Sequence, residues 1–216
     1  MYKIDLHTHS CASPDGALKA KHYRDLLGRG VLDYIAVTDH DSISNAQKLR
    51  EDIGDRIIIG EEISTIDGEI IGLFLSKVIH PGLSLLQSIK EIHDQDGIVY
   101  VPHPFETVRK GLSLDSLNEV AKLVDIIEVY NGRAIFQNHS SKSIEWSKIN
   151  AIPGAASSDA HGVHGWGRTF SIISKQPNNS NLGELLKNAE YKTKKVGVRG
   201  VLYPKYNRLR KRYKHD

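Results

Sequence analysis

The sequence holds a single cysteine, Cys11, in 216 residues. That excludes an intrachain disulfide framework and suits a reducing compartment, the cytoplasm. No run of about 18 apolar residues occurs, so no helical membrane span is expected. No basic-then-apolar leader opens the chain, and a candidate ligand strand beginning at Ile4 leaves no room for one. There is no G-x-x-x-x-G-K-S/T loop and no G-x-G-x-x-G, so neither ATP-driven chemistry nor a dinucleotide site is indicated. Internal repeats and low-complexity tracts are also missing. The length then allows one large domain or two small ones.

Charge is present but unevenly placed. The formal net charge of +3 divides into a body with 22 bases and 25 acids and an end, residues 199–216, with seven bases and one acid. Acids gathered around a site favour cations; a basic end favours an anionic partner. We read residues 1–198 as one domain and 199–216 as a basic C-terminal tail. The tail mixes Lys205, Arg208, Arg210, Lys211, Arg212 and Lys214 with Tyr203, Tyr206 and Tyr213. Nucleic acid is therefore a candidate partner, through phosphate contacts and stacking, against the plainer expectation of a solvated, frayed end. Within the tail, packing is expected up to Pro204, with a mobile basic end beyond it.

The chain is organised around Ile4-Asp5-Leu6-His7-Thr8-His9-Ser10. In a strand His7 and His9 share a face and can grip one ion, with Asp5 one step deeper. Imidazoles suit Zn²⁺, Mn²⁺ and Fe²⁺. The nearly continuous apolar run Asp33–Thr38 predicts a strand buried on both faces, ending in Asp39-His40-Asp41. Ile57–Ile63 ends in Glu61-Glu62, and Asp67-Gly68 predicts a hairpin into Glu69–Leu75. Ile98–Val101 runs into Pro102-His103-Pro104, where prolines forbid a helix. Strands are also expected at Ile126–Tyr130, Pro153–Ser157 and Thr169–Ile173. Helices are expected at Leu18–Leu27, from Ser42 to about Glu51, and at Leu83–Gln95, Leu114–Leu123, Ala134–Lys148 and Leu182–Glu190. About seven alternations of strand and helix give an α/β barrel of parallel strands, whose C-terminal ends share one rim. The polar residues fall at those ends.

The ordered set Asp5-x-His7-x-His9, Thr38-Asp39-His40-Asp41, Gly60-Glu61-Glu62-Ile63-Ser64, Pro102-His103-Pro104 and Ser158-Asp159-Ala160-His161 resembles the polymerase-and-histidinol-phosphatase (PHP) family over roughly residues 1–175. The resemblance implies a distorted (β/α)7 TIM-like barrel with up to three divalent ions (Zn, Mn, Fe or Mg). It places His7, His9, Glu62 and Asp159 on the first ion and Glu62 with His103 on the second. Asp15, His40 and His161 fall on the third. Many relatives have a histidine where Glu69 stands here, and a carboxylate there would favour Mn²⁺ or Mg²⁺ over Zn²⁺. Asp15, His40, Asp159 and His161 are the catalytic candidates. Asp5 and Asp39 are expected to hold imidazoles in the right tautomer.

A cluster of divalent ions neutralises phosphate oxygens and acidifies water, so the expected reaction is hydrolysis of a phosphomonoester of a small metabolite or nucleotide. Nucleoside bisphosphates, oligonucleotide ends and histidinol phosphate are the candidate substrates. Arg133 and Arg168 are candidate phosphate clamps. His80 is the best of the remaining histidines for reaching the rim. The rival readings are a non-catalytic PHP-like scaffold that binds RNA or protein, and an amidohydrolase.

Overall fold

Isoleucine and valine fill the strands because both faces of the sheet are covered. The computed structural model describes residues 1–135 and 137–213. In chain order the elements are β1 (Tyr2–Asp5), α1 (Ala20–Gly28), β2 (Tyr34–His40), α2 (Ser44–Ile53), β3 (Ile57–Ser64) and β4 (Glu69–Leu73). Then come α3 (Leu85–His93), β5 (Ile98–Val101), α4 (Leu114–Glu119), β6 (Ile126–Asn131) and α5 (Ser140–Asn150). The chain continues with β7 (Gly154–Ser157), β8 (Phe170–Ile173), α6 (Leu182–Lys187), β9 (Glu190–Lys192) and α7 (Val198–Arg212). The expected helix over Ala134–Lys148 starts later, at Ser140, and includes Phe136, which lies outside the described residues.

One sheet carries all these strands in the order β7-β6-β5-β4-β3-β2-β1-β8-β9. β1, β2 and β3 are mutually parallel, as are β5, β6 and β7. β4 and β8 break the parallel pattern expected from sequence. β4 is antiparallel to both neighbours because a tight turn joins it to β3, and β8 returns antiparallel to β1. A hairpin turn leaves no length for the crossover that a parallel partner requires.

Strand parity sorts the core into layers. Tyr34, Ala36, Ile58, Ile71, Tyr100, Ile126 and Ala155 pack in the barrel interior with Ile4 and Ile173. Ile35, Val37 and Ile57 face Tyr23, Leu27 and Leu49 beneath α1 and α2. Val99, Val101 and Ile127 face Ile89, Leu117 and Trp146 beneath α3, α4 and α5.

The sheet is nearly closed. Between β7 and β8 the ladder gives way to one side chain: the Ser171 hydroxyl accepts from Ala156 N at 2.9 Å and donates to Ala156 O at 3.2 Å. Ser171→Ala would leave that buried N–H without a partner, at a cost of about 1–3 kcal/mol. For a chain of this size the expected result is a Tm lowered by several degrees. An unchanged Tm in a thermal melt would show that the seam does not depend on this hydroxyl.

The tail departs most from expectation. Residues 198–212 form a continuous helix, with Pro204 inside it and buried. Asn207 is also buried, at 4% exposure. Its amide donates to Asp15 O at 2.7 Å and His161 O at 3.1 Å. Lys211 Nζ donates to Cys11 O and Ser13 O at 2.9 and 2.5 Å. These bonds dock α7 on two rim loops and offset the unfavourable proline. The packing expected as far as Pro204 therefore continues beyond it, where a mobile end was expected. Residues 214–216, the last of the basic end, lie outside the described residues.

Candidate metal centre

Each strand that ends at the rim delivers its polar residues to one place. The Glu62 carboxylate is the meeting point. Its Oε2 lies 3.5 Å from His7 Nε2, 3.2 Å from His9 Nε2 and 3.3 Å from His40 Nδ1. Its Oε1 lies 3.0 Å from His103 Nε2. Asp159 Oδ1 is 3.7 Å from His7, 3.5 Å from His9 and 3.2 Å from His161. Asp15 Oδ2 is 3.4 Å from His161 and 3.5 Å from His40.

The backbone is bent to achieve this. Asp41, His103 and Asp159 have φ of 52°, 26° and 50°, in the left-handed region that side chains other than glycine seldom occupy. His103 is fixed there by a proline on either side and by its N–H, which donates to Glu128 Oε2 at 2.6 Å. Asp15 depends on a close approach: a Cβ on Gly16 would stand 2.0 Å from Ser10 O. Only glycine lets the 10–18 loop fold back tightly enough to aim Asp15 inward.

Three overlapping groups of ligand atoms result: His7, Glu62 and His103; His7, His9 and Asp159; and His9, Asp15, His40 and His161. The chemistry of the donors tests whether they fit divalent ions. His7 Nε2 and His9 Nε2 face each other at 3.1 Å, both rings fully buried. Each group mixes imidazole nitrogen with carboxylate oxygen, the donor set of Zn²⁺, Mn²⁺ and Fe²⁺. His7 Nδ1 is held from behind by Glu128 Oε1 at 3.3 Å, which leaves its Nε2 for an ion. The residues fit such ions. Glu69 lines the cavity above the cluster but stands outside the three groups.

Electrostatics separate the members. Burial pushes the Glu62 carboxyl up, but the imidazoles of His40, His7 and His103 outweigh it and hold Glu62 well below the usual carboxylate range. Asp159 is likewise low, with burial overcome by Arg133, His7 and His161. Burial, with the His9 ring and the Arg133 guanidinium nearby, pushes His161 down to about 3, which keeps its imidazole neutral. Burial lowers His40 too, but Glu62 and Asp15 prevail and raise it to about 9. Burial and the neighbouring Glu62 raise Glu69 to about 8.

The cluster forms the floor of a cavity of about 510 Å³ whose walls include Arg109, Lys110, Arg133 and one face of α7. Arg133 Nη1 lies 3.1 Å from Asp159 Oδ2 and 3.3 Å from His161 Nδ1. Arg168 is not part of the site. It is exposed and lines no part of the cavity, because the turn through Gly165 and Gly167, at φ of 90° and 69°, carries it outward. His80 is exposed outside the β3–β4 hairpin, since an antiparallel β4 sends the following chain back along the outer surface.

No family model matches the chain. It is 33% identical over 142 residues to the uncharacterized protein MJ1587 of Methanocaldococcus jannaschii, covering 60% of this chain and 81% of that protein. The uncharacterized protein MJ0417 of the same organism is 30% identical over 183 residues, covering 80% and 71%. A solved two-domain protein of Bacteroides vulgatus contains a predicted PHP-like metal-dependent phosphoesterase. It matches at a TM-score of 0.72 and 20% identity, over 96% of this chain and 69% of that one. That likeness gives the fold, and the five motifs, in order, meet at its rim. The fold is that of a PHP-like barrel.

Within this PHP-like barrel, sequence reasoning missed Glu128, Asn131 and Arg109. Glu128 binds His7, the Tyr100 hydroxyl, His103 N and the Asn131 amide. A lone acid in the apolar strand Ile126-Ile127-Glu128-Val129, on the interior parity, was a signal for it. Arg109 Nη1 meets Asp159 at 2.5 Å and Asn131 at 2.8 Å from a loop with no such signature. The roles given to Asp5 and Asp39 also change. Asp5 accepts from Ser158 N at 3.0 Å and Asp39 from Ser10 N at 2.6 Å, so they hold the backbone beside candidate ligand residues rather than imidazoles.

Glu61 and Glu62 show how one residue of parity changes a carboxylate. Glu61 faces away from the cluster and accepts from Ile79 N at 2.9 Å, while its Oε1 is buried without a partner. Burial raises it from 4.5 to about 7. With its folded pKa above the unfolded one, Glu61 weakens the fold as pH rises from 4.5 through 7. Glu61→Gln removes that penalty. The variant should match the wild type below pH 4.5 and exceed it above pH 7 by up to about 3 kcal/mol in denaturant titrations. Parallel pH profiles for the two proteins would contradict this.

Proposed function

We propose that this chain is a metal-dependent phosphomonoesterase. The observation that carries the reading is the meeting of three overlapping imidazole–carboxylate groups at the floor of a cavity whose walls carry guanidinium groups. Bound divalent ions supply charge to offset phosphoryl oxygens and lower the pKa of water. His7, His9, Glu62, His103 and Asp159 would hold two of them, and Asp15, His40 and His161 with His9 a third. Glu128 keeps the His7 ring in one orientation and tautomer.

The remaining work falls to residues around the floor. Arg133, beside Asp159 and His161, is placed to donate to a phosphoryl oxygen. Arg109 is tied to Glu106 and Asp159 and braces the Asp159 carboxylate instead. The candidates for proton handling are Asp15, His40, Asp159 and His161. His40, with 16% of its side chain exposed against 2–3% for the others, exchanges protons with solvent most readily. A scaffold without catalysis is disfavoured because His7, His9, His40, Glu62, His103, Asp159 and His161 are all present and brought together, Glu69 alone standing outside the groups.

Metal analysis of the purified protein, followed by a phosphomonoester screen with Mn²⁺ added, tests the reading. Loss of a mere outer partner of a metal ligand costs about 10–100-fold in affinity or activity. His9→Ala and Asp159→Ala remove ligands themselves, so each is expected to lower kcat/KM by more than about 100-fold. Metal content should fall in parallel. Retention of most activity by both variants would overturn the proposal.

A further inference from the structure

Gly200, Pro204 and Asn207 turn toward the barrel and are buried, which fixes the rotation of α7 about its axis. At about 100° per residue, the side pointing directly away from the barrel carries Leu202, Tyr206, Leu209 and Tyr213. They fall four, three and four residues apart, the spacing of a single stripe. Tyr213 caps the helix but keeps a helical backbone, so the stripe runs to its end. Their exposures are 54%, 58%, 46% and 78%. Single exposed apolar residues are ordinary on a protein surface, but a helix usually turns such a stripe inward. Here the small and polar side is docked, and the apolar side is left in water.

Cations border the stripe on both sides. Lys205 and Arg212 lie along the edge that lines the metal cavity, and Arg210 along the other. All three are exposed, and none has an acidic partner within ion-pair distance among the described residues. The helix itself holds no acid. Val108, 80% exposed, and Lys110 reach the same cavity from the 102–112 loop. These features select the partner. A second copy is disfavoured, because pairing the stripe with itself sets Lys205, Arg210 and Arg212 against like charges. A nucleic acid satisfies the cations and can stack on the two tyrosines, but it leaves both leucines in water. A single acidic helix would cover the stripe but not Val108 beyond it. An anionic bilayer surface meets them all, with headgroups for the cations, the interfacial layer for tyrosine and acyl chain for leucine.

We propose that α7 is a peripheral docking helix for an anionic lipid surface, with Leu202, Tyr206, Leu209 and Tyr213 entering the headgroup–acyl boundary and Lys205, Arg210 and Arg212 binding anionic headgroups. No helix among the described residues is long and apolar enough to cross a membrane, so α7 lies along the surface, held to the barrel by its opposite side. The cavity face of α7 is about a quarter-turn from the stripe, so a docked chain opens its candidate metal cluster beside the bilayer. The inference goes beyond the phosphomonoesterase reading and does not depend on it, since lipid binding is measured without turnover.

Cosedimentation of the full chain with vesicles of phosphatidylcholine alone, and of equal parts phosphatidylcholine and phosphatidylglycerol, tests the proposal. The wild type should partition onto the anionic vesicles at least about tenfold more strongly, and the difference should shrink with added salt. Each base near such a surface is worth about fivefold in partitioning, so Arg210→Glu/Arg212→Glu should cost about 30-fold or more. Leu202→Ser/Tyr206→Ser leaves the charge unchanged and should still cost about tenfold. Thermal melts of that variant should match the wild type, because both side chains are exposed. A Tyr206→Trp variant reads insertion directly. Its emission should be quenched by lipids brominated on the acyl chain, whereas Trp146 and Trp166 are buried, at 5% and 7% exposure. Equal partitioning of the wild type onto the two kinds of vesicle, or no quenching on the anionic ones, overturns the proposal. So does anionic binding that Leu202→Ser/Tyr206→Ser keeps in full, which is adhesion of a basic surface without docking of the stripe. A stripe-dependent dimer, or stripe-dependent binding of a single-stranded oligonucleotide, in the absence of vesicle binding overturns it too and assigns α7 to that partner.

Discussion

Four imidazole nitrogens lie within 3.0–3.5 Å of one carboxylate, Glu62, in a space nearly closed to solvent. Such a concentration of donors is costly to desolvate unless charges and hydrogen bonds are matched around it. The surrounding structure supplies the match. Glu128 binds His7 from behind, Asp5 and Asp39 hold the backbone beside candidate ligand residues, and Arg109 and Arg133 meet Asp159. The backbone strain at His103 and Asp159 belongs to the same arrangement, because ordinary φ values would turn those side chains away. Removing one partner would leave a buried charge exposed to its neighbours, so the cluster and its outer layer form one cooperative unit.

The candidate ligand residues were legible in the sequence for a simple reason. Parallel strands place their C-terminal ends on one rim, and polar residues closing apolar runs are conspicuous. Hence His7, His9, His40, Glu62, His103, Asp159 and His161 could be gathered before any coordinates. The hairpin at Asp67-Gly68 was legible from its turn, but the parallel barrel expected from the strand–helix alternation left out the reversal of β4 that such a turn imposes. The reversal of β8 had no local signal, because nothing in Phe170–Ile173 reveals the direction of its partner. Glu128 had a readable signal in strand parity, whereas Arg109 did not: it reaches Asp159 from an irregular loop whose path only tertiary contacts fix. Arg168 misled because proximity to a strand end says nothing about which way a glycine-rich turn will point a side chain.

The tail was misjudged for an energetic reason. Pro204 and a run of bases both argue against a stable helix when weighed alone. The decisive terms are long-range: Asn207 bonds to carbonyls of Asp15 and His161, and Lys211 to carbonyls of Cys11 and Ser13. Gly162 also matters, since a Cβ there would stand 2.8 Å from the Tyr203 ring. The acceptors lie about 200 positions earlier in the chain or in the 159–164 loop, so no window of sequence displays them.

That docking also joins the wall of the cavity to its floor. Forty residues separate Glu62 from His103, a span taken up by β4, α3 and β5 with no inserted lid domain. The open side of the barrel is walled by α7 instead. Arg208 binds the Asp15 carboxylate, and Asn207 binds the Asp15 carbonyl, so the loop that aims one candidate ligand is clamped by the helix that walls the cavity. Any displacement of α7 must loosen Asp15, and any rearrangement of the Asp15 loop must move the cations of α7. The contact runs through two groups of one residue, the Asp15 carboxylate and carbonyl, so the wall of the cavity and its floor are joined at Asp15.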